Sequence, residues 1–232
     1  MKRTNFKTVI TPSLKRNIVT CRRTKQITLL VGILSLFVCG SITVFGQTYN
    51  STTGATAWNV AGNWTPSGFP NSVGASATFN SPTGNQTVSL SAAITVGTIG
   101  ITNNESSSFT LQNGTGGSLV LDATGSGEAA ITVSGSNTAT NNVTISASTT
   151  LNDTLRFTNN NVSVTGVATV TITGAVSGAG GFIKDGAGRF SFSSVAKTYT
   201  GATTVNQGRL RMTSSGQITG TSSITVNSGG SL

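Results

Sequence analysis

The chain has 232 residues, of which only 8% are charged, whereas about 25% is usual for a soluble domain. It contains no histidine, so the commonest general base and transition-metal ligand is missing. The formal net charge is +9, but eight of the 14 basic residues precede residue 47. The rest of the chain has six basic and five acidic residues, which argues against a basic patch and a nucleic-acid partner.

The first 46 residues have the order of a secretory signal. Residues 1–26 are basic without an acid, and residues 27–45 carry no charge. Val44 and Gly46 suit the −3 and −1 positions of a signal peptidase site, so we predict a signal helix that is cleaved after Gly46. An uncharged run of this length is also close to the roughly 20 residues that span a bilayer, so a retained membrane anchor is the alternative. Both cysteines, Cys21 and Cys39, lie in this leader, which excludes a disulfide framework downstream.

Residues 47–93 differ from the rest because they contain both tryptophans of the chain, Trp58 and Trp64, with several other aromatic residues. We predict that this segment is an N-terminal β cap, since the first coil of a repeat fold must close an open end. The alternative is that Trp58 and Trp64 form a platform that stacks on sugar rings.

Residues 94–232 alternate apolar and polar residues in short triplets separated by glycine and asparagine turns. Such triplets predict strands with one buried face. Short strands with irregular turns favour a right-handed parallel β-helix of about eight coils, each of roughly 20 to 25 residues, in an all-β chain. Clear triplets begin at Ile94, Phe109, Leu119, Ile131, Val143, Leu155, Val162, Val170, Phe190, Leu210 and Ile224.

Two weak patterns are relevant to catalysis. Glu128 and Asp153 are 25 residues apart, so stacked coils could pair these carboxylates as glycoside hydrolysis requires, although solvated surface acids are the simpler interpretation. Ser194 and Lys197 match the S-x-x-K pattern of a serine nucleophile with a lysine base, but the S-D-N and K-T-G strings that accompany it do not occur. We therefore predict no catalytic site, no metal and no cofactor.

The segment 176–212, VSGAGGFIKDGAGRFSFSSVAKTYTGATTVNQGRLRM, resembles the autotransporter-associated β-strand repeat. Three phenylalanines stand where this family usually has leucine, and Lys197 replaces the asparagine before Thr-Tyr. The positions that match the family pattern are Gly178, Gly180, Gly181, Lys184, Gly186, Gly188, Thr198, Tyr199, Gly201, Thr203, Val205, Gly208 and Leu210.

Among these, we assign structural roles to Gly180, Lys184, Gly186, Gly188, Thr198, Tyr199, Gly201 and Gly208. Glycines 186 and 188 suit tight corners, and Tyr199 suits an inward anchor. The resemblance implies an exported β-helical passenger with a structural or adhesive role, secreted or held at the cell surface in association with the outer membrane. A carbohydrate-binding or carbohydrate-cleaving β-helix is the alternative.

The partners expected for such a module are surface polysaccharides or other cell-surface components, with membrane contact only through an uncleaved leader. The sequence stops inside a predicted coil, which is what the front of a longer passenger would show. An uncovered last coil also predicts end-to-end self-association.

Overall fold

The computed structural model describes residues 46–50, 54–80, 83–103, 107–135, 142–161 and 169–232, all within one compact unit. These residues form no α-helix and a single short 3-10 turn, Ala61–Asn63. No helix among them is long and apolar enough to cross a membrane. The predicted signal helix and the triplet at Val162 lie outside the described residues.

The described residues are organised almost entirely as strands. In chain order the strands are β1 (Gln47–Tyr49), β2 (Gly54–Ala57), β3 (Trp64–Thr65), β4 (Ser76–Asn80), β5 (Gln86–Leu90), β6 (Ala93–Val96), β7 (Thr98–Thr102), β8 (Phe109–Asn113), β9 (Ser118–Leu121), β10 (Ala129–Ser134), β11 (Val143–Ile145), β12 (Thr149–Leu151), β13 (Leu155–Asn159), β14 (Thr169–Ile172), β15 (Val176–Gly178), β16 (Phe182–Asp185), β17 (Arg189–Phe192), β18 (Thr203–Met212) and β19 (Ile224–Ser231).

The strands stack in three columns, because each strand pairs in parallel with the strand one coil later. The first column contains β1, β4, β7, β10, β13 and β16, the second contains β2, β5, β8, β11, β14 and β17, and the third contains β6, β9, β12 and β15. The ten-residue strand β18 continues two columns at once, since its start pairs with β16 and its end with β17. The prediction of an all-β parallel solenoid is therefore confirmed.

The coils are less uniform than the sequence suggested. Val205 pairs with Val226, 21 positions later, whereas Ile99 pairs with Ile131, 32 positions later. The extra residues lie between strands, for example between Leu121 at the end of β9 and Ala129 at the start of β10, so the stacked register is kept while the connections vary. Loops on the surface tolerate such insertions, whereas strands that must match a neighbour do not.

The core is made of apolar side chains stacked in register inside the columns. In the second column Ile145 pairs with Ile172, which pairs with Phe192, and all three are buried. Residues between these positions face outward and are mainly threonine and serine. Each strand pairs along its edges with the neighbouring coils, and its inward side chains pack against those stacked above and below. These contacts explain why strands as short as three residues are stable here.

Asparagines at the edges of the coils pair backbone groups that the strands leave free. The Asn59 Oδ1 accepts a hydrogen bond from the Ser91 N–H at 2.8 Å, and the Asn71 Oδ1 accepts one from the Thr95 N–H at 2.8 Å. Each bond joins one coil to the next, so the asparagine-rich connections add to the stacking.

Comparing two glycines distinguishes the effect of close packing between coils from the effect of backbone conformation. Gly116 and Gly208 both have φ of +72°, but a Cβ on Gly208 would lie 2.5 Å from the Gly186 carbonyl oxygen, whereas nothing lies within 4 Å of one on Gly116. Gly116→Ala should lower the free energy of unfolding by about 1 to 2 kcal/mol, the cost of a left-handed backbone. Gly208→Ala should cost a further 1 to 3 kcal/mol or so because neighbouring coils must move apart.

Urea unfolding followed by far-UV circular dichroism measures both variants against the parent chain. Equal losses in the two variants would show that coil spacing at Gly208 does not limit side-chain size.

Candidate functional site

The two tryptophans lie inside the N-terminal end of the solenoid. Trp58 is 0% and Trp64 is 2% exposed, and their ring centroids are 4.9 Å apart. The Trp58 indole N–H donates to the Pro70 carbonyl at 3.0 Å, and that of Trp64 donates to the Trp58 carbonyl at 2.8 Å. Tyr49 and Phe79 pack against the same rings. The structure thus does not provide the exposed ring faces that a sugar-stacking platform needs, because both indoles belong to the buried core.

The candidate acid pair has separate partners. The Asp153 Oδ2 accepts a hydrogen bond from the Ala123 N–H at 2.7 Å, whereas Glu128 forms an ion pair with Arg156. Both contacts join neighbouring coils. No group of three metal-ligating side chains occurs in the part of the chain that the structure describes.

Arg156 is the centre of a polar chain that runs across the outer side of the first column. Its Nε lies 2.6 Å from the Glu128 Oε2 in the preceding coil, and its Nη1 contacts Asp185 in the following coil. These carboxylates raise the pKa of the Arg156 guanidinium above its ordinary value. The Asp185 Oδ1 accepts from the Asn206 Nδ2 at 2.8 Å, and the Asn206 Oδ1 accepts from the Asn227 Nδ2 at 2.6 Å.

Sequence reasoning did not identify this chain of contacts. Glu128, Arg156 and Asp185 are 28 and 29 residues apart, about one coil each. That spacing was the available signal, but it becomes informative only when the coil lengths are known.

The S-x-x-K pattern lies in a turn and not at the start of a helix. Ser194 is exposed with φ of +70°. Lys197 is fully buried, and its Nζ donates to the Gly174 carbonyl at 2.6 Å and to the Ser193 carbonyl at 3.1 Å. The same Nζ lies 5.7 Å from the centroid of the Phe192 ring. Lys197 therefore has a packing and hydrogen-bonding role where the repeat pattern usually has asparagine.

Lys184 occupies an inward position in the first column, between Phe157 and Val205. It is fully buried, and its Nζ donates to the carbonyls of Asp185 and Gly186 at 2.6 Å each and to that of Gln207 at 3.2 Å. The ammonium thus satisfies three carbonyls at the corner where two successive coils turn. Burial lowers the pKa of Lys184 to about 8, and it lowers the pKa of Lys197 to about 8 as well.

Tyr199 is buried between the third and first columns of the repeat segment. Its hydroxyl lies 2.7 Å from the Thr203 Oγ1, and its ring packs near Phe182 and Phe192. Burial raises the pKa of Tyr199 to about 12. Tyr199 thus lies in the core beside the phenylalanines of the repeat.

The repeat glycines lie where coils approach most closely. A Cβ on Gly201 would be 2.4 Å from the Gly181 nitrogen and 2.5 Å from the Gly180 carbonyl carbon. A Cβ on Gly188 would be 2.6 Å from the Asn159 side chain. By contrast Thr198 is exposed, and its hydroxyl donates to the Val176 carbonyl at 3.4 Å.

Residues 182–212 match the family model of the passenger-associated-transport-repeat. The match begins at β16 and ends with β18, and it confirms the resemblance that the sequence shows over 176–212. A search of curated proteins and a search of solved structures each returned no match.

The matched repeat is a structural element of exported passengers, which are secreted or displayed at the cell surface. Its strands follow the stacked columns without a break, so the repeat and the preceding coils form one continuous solenoid. Lys184, Tyr199 and the glycines are the parts of the repeat that hold successive coils together.

The strand after the repeat leaves apolar positions uncovered. Ile224 and Val226 stack on Thr203 and Val205, yet they are 45% and 43% exposed. β19 pairs with β18 on one side. No other described strand pairs with β19.

The buried lysines predict an unusual dependence of stability on pH. Below about pH 8, Lys184 and Lys197 are protonated in both the folded and the unfolded chain. Between about pH 8 and 10.5 they stay protonated in the unfolded chain but lose their protons in the folded chain. The free energy of unfolding should therefore rise with pH in this range, by at most about 1.4 kcal/mol per pH unit for each lysine. Lys184→Met should remove about half of the rise.

Urea midpoints at pH 7.5 and 9.0 test this, because an unfolded tyrosine with a pKa near 10 is still about nine-tenths protonated at pH 9.0. Arg211→Met is the control, because it replaces an exposed basic side chain with the same residue type. A midpoint that does not rise in the parent chain would contradict the assignment of depressed pKa values to the buried lysines.

Proposed function

We propose that this chain is an exported, non-catalytic structural module of a secreted or cell-surface passenger, with an adhesive role at the surface. The observation that carries the proposal is the passenger-associated-transport-repeat at residues 182–212, placed within an uninterrupted parallel solenoid. A stack of coils offers long outer faces, which suits a spacer or binding surface.

The leader supports export. A basic segment followed by an uncharged apolar run precedes Gly46, and Val44 and Gly46 are small enough for a signal peptidase site. A retained anchor would place the same solenoid at a membrane surface.

The use of charged side chains supports a structural role. Lys184 and Lys197 donate to buried carbonyls, and Arg156 holds two carboxylates between coils. The carboxylate of Asp153 holds a backbone N–H of another coil. These groups stabilise stacking, and the geometry of Glu128 and Asp153 gives no support to carbohydrate cleavage.

The uncovered edge of β19 supports end-to-end association of copies as part of the proposal. Exposed parallel edges with apolar side chains readily pair with another strand. Ile224 and Val226 would be buried by such pairing.

Fractionation of cells that express the chain, combined with N-terminal sequencing, tests the proposal. We expect the protein in the medium or accessible to protease on intact cells, with Gln47 as its first residue. Leu30→Arg, which breaks the apolar run of the leader, should keep the protein inside and serves as the control. Protease-resistant chain in the cytosolic fraction, starting at Met1 in both forms, would contradict export, while Met1 in the surface fraction would indicate the anchor.

A further inference from the structure

The six basic residues of the exported part fall into two groups. Lys184 and Lys197 are buried against carbonyls, and Arg156 lies in ion pairs. The remaining three are exposed, and both ion pairs found in the described residues belong to Arg156. We call these three the arginine patch: Arg189, Arg209 and Arg211.

Strand register brings the arginine patch together on one surface. Arg189 of β17 pairs directly with Arg209 of β18, and Arg211 pairs with Ser191. Phe190 and Leu210 alternate with them and are buried, so the arginines project from the outer side. Neighbouring strands are about 4.8 Å apart and alternate residues along a strand about 6.6 Å apart, so three guanidinium groups occupy a small area.

This local concentration differs from the expectation that a net charge near zero argues against a basic patch. Net charge does not report where charges lie, and the register of β17 and β18 sets that. Like charges directly opposite one another on a sheet are destabilising. In the described part of the chain the strands of the second column carry no acidic residue, so no carboxylate on these strands compensates the patch.

The surface next to the arginine patch carries hydroxyl groups. One outward column contains Thr110, Thr144 and Thr171, which are partly exposed, and it continues through the buried Ser191 to Arg211. Flat rows of hydroxyls match the hydroxyl groups of a sugar chain, and the guanidinium fork matches a carboxylate with two parallel hydrogen bonds. Single-stranded nucleic acid would call for aromatic side chains on which bases stack, and this outer column has hydroxyls instead.

We propose that the arginine patch binds a carboxylate-bearing polysaccharide, laid along the outer side of the second column. The partner follows from charge complementarity with three guanidinium groups that form no ion pair with a described carboxylate. The choice of a polysaccharide rests on the proposed function, because an exported module meets such polymers outside the cell. The tryptophan pair has no part in this site.

Binding of the whole purified chain to immobilised alginate tests the proposal, with neutral dextran and single-stranded DNA as comparison polymers. We expect binding to alginate that weakens with salt, as for exposed charges, and little binding to dextran. Arg209→Gln should weaken it about tenfold, the effect of losing one charge-assisted contact. Arg156→Gln is the matched control: it removes one arginine from another outer face, and it should change binding less than twofold.

The parent chain and both variants are compared by far-UV circular dichroism and thermal midpoint. Arg209→Gln should fold with an equal or higher midpoint, since it removes a like-charge pair. Absence of alginate binding, equal weakening by the two substitutions, or equal binding to dextran would overturn the proposal. Tighter binding to DNA than to alginate would also overturn it and identify a different class of polymer.

The result is independent of the export experiment. A chain that is exported but fails to bind alginate leaves the proposed function in place and removes this site. A chain that binds alginate but stays inside the cell keeps this binding site and contradicts the proposed export.

Discussion

The structure depends on one constraint: each coil must place its strands in register over those of the coil before it. Parallel backbone hydrogen bonds between coils are formed at a spacing of about 4.8 Å, and the inward side chains then lie directly above one another. The register is kept over four successive coils, in which Ile131, Phe157, Lys184 and Val205 pair directly with one another in turn. A lysine is accommodated in that column because three carbonyls at the corner accept its hydrogen bonds.

The same constraint explains which parts of the fold the sequence predicted. Alternation within a strand is local, so triplets such as those at Ile131 and Val143 correctly predicted β10 and β11. Tyr199, which we predicted to face inward, is fully buried.

Features that depend on the register between coils could not be predicted from local sequence patterns. The length of β18, the 32-residue coil between Ile99 and Ile131, and the pairing of Arg189 with Arg209 all require knowledge of which residues lie one coil apart. The burial of Lys197 also escaped prediction, since a single lysine in a polar turn gives no local sign that carbonyls of another coil receive it. Sequence reasoning therefore found the strands and missed the contacts between coils.

The two ends of the solenoid differ in how they meet solvent. At the first coil, β3 pairs antiparallel with β1, and the aromatic cluster around Trp58 and Trp64 covers the core. At β19 the inward residues Ile224 and Val226 remain half exposed. A stack stabilised by nearest neighbours should accordingly be firmest in its middle coils and weakest at β19.

Hydrogen exchange of the monomeric chain, resolved by strand, tests most directly the claim that stability comes from pairing with neighbouring coils. The account predicts the slowest amide exchange in β10, β13 and β16, which have a paired strand on each side, and the fastest strand exchange in β19. Equal protection of β19 and β13 in the monomer would contradict it, because a strand with one paired neighbour would then be as stable as a strand with two.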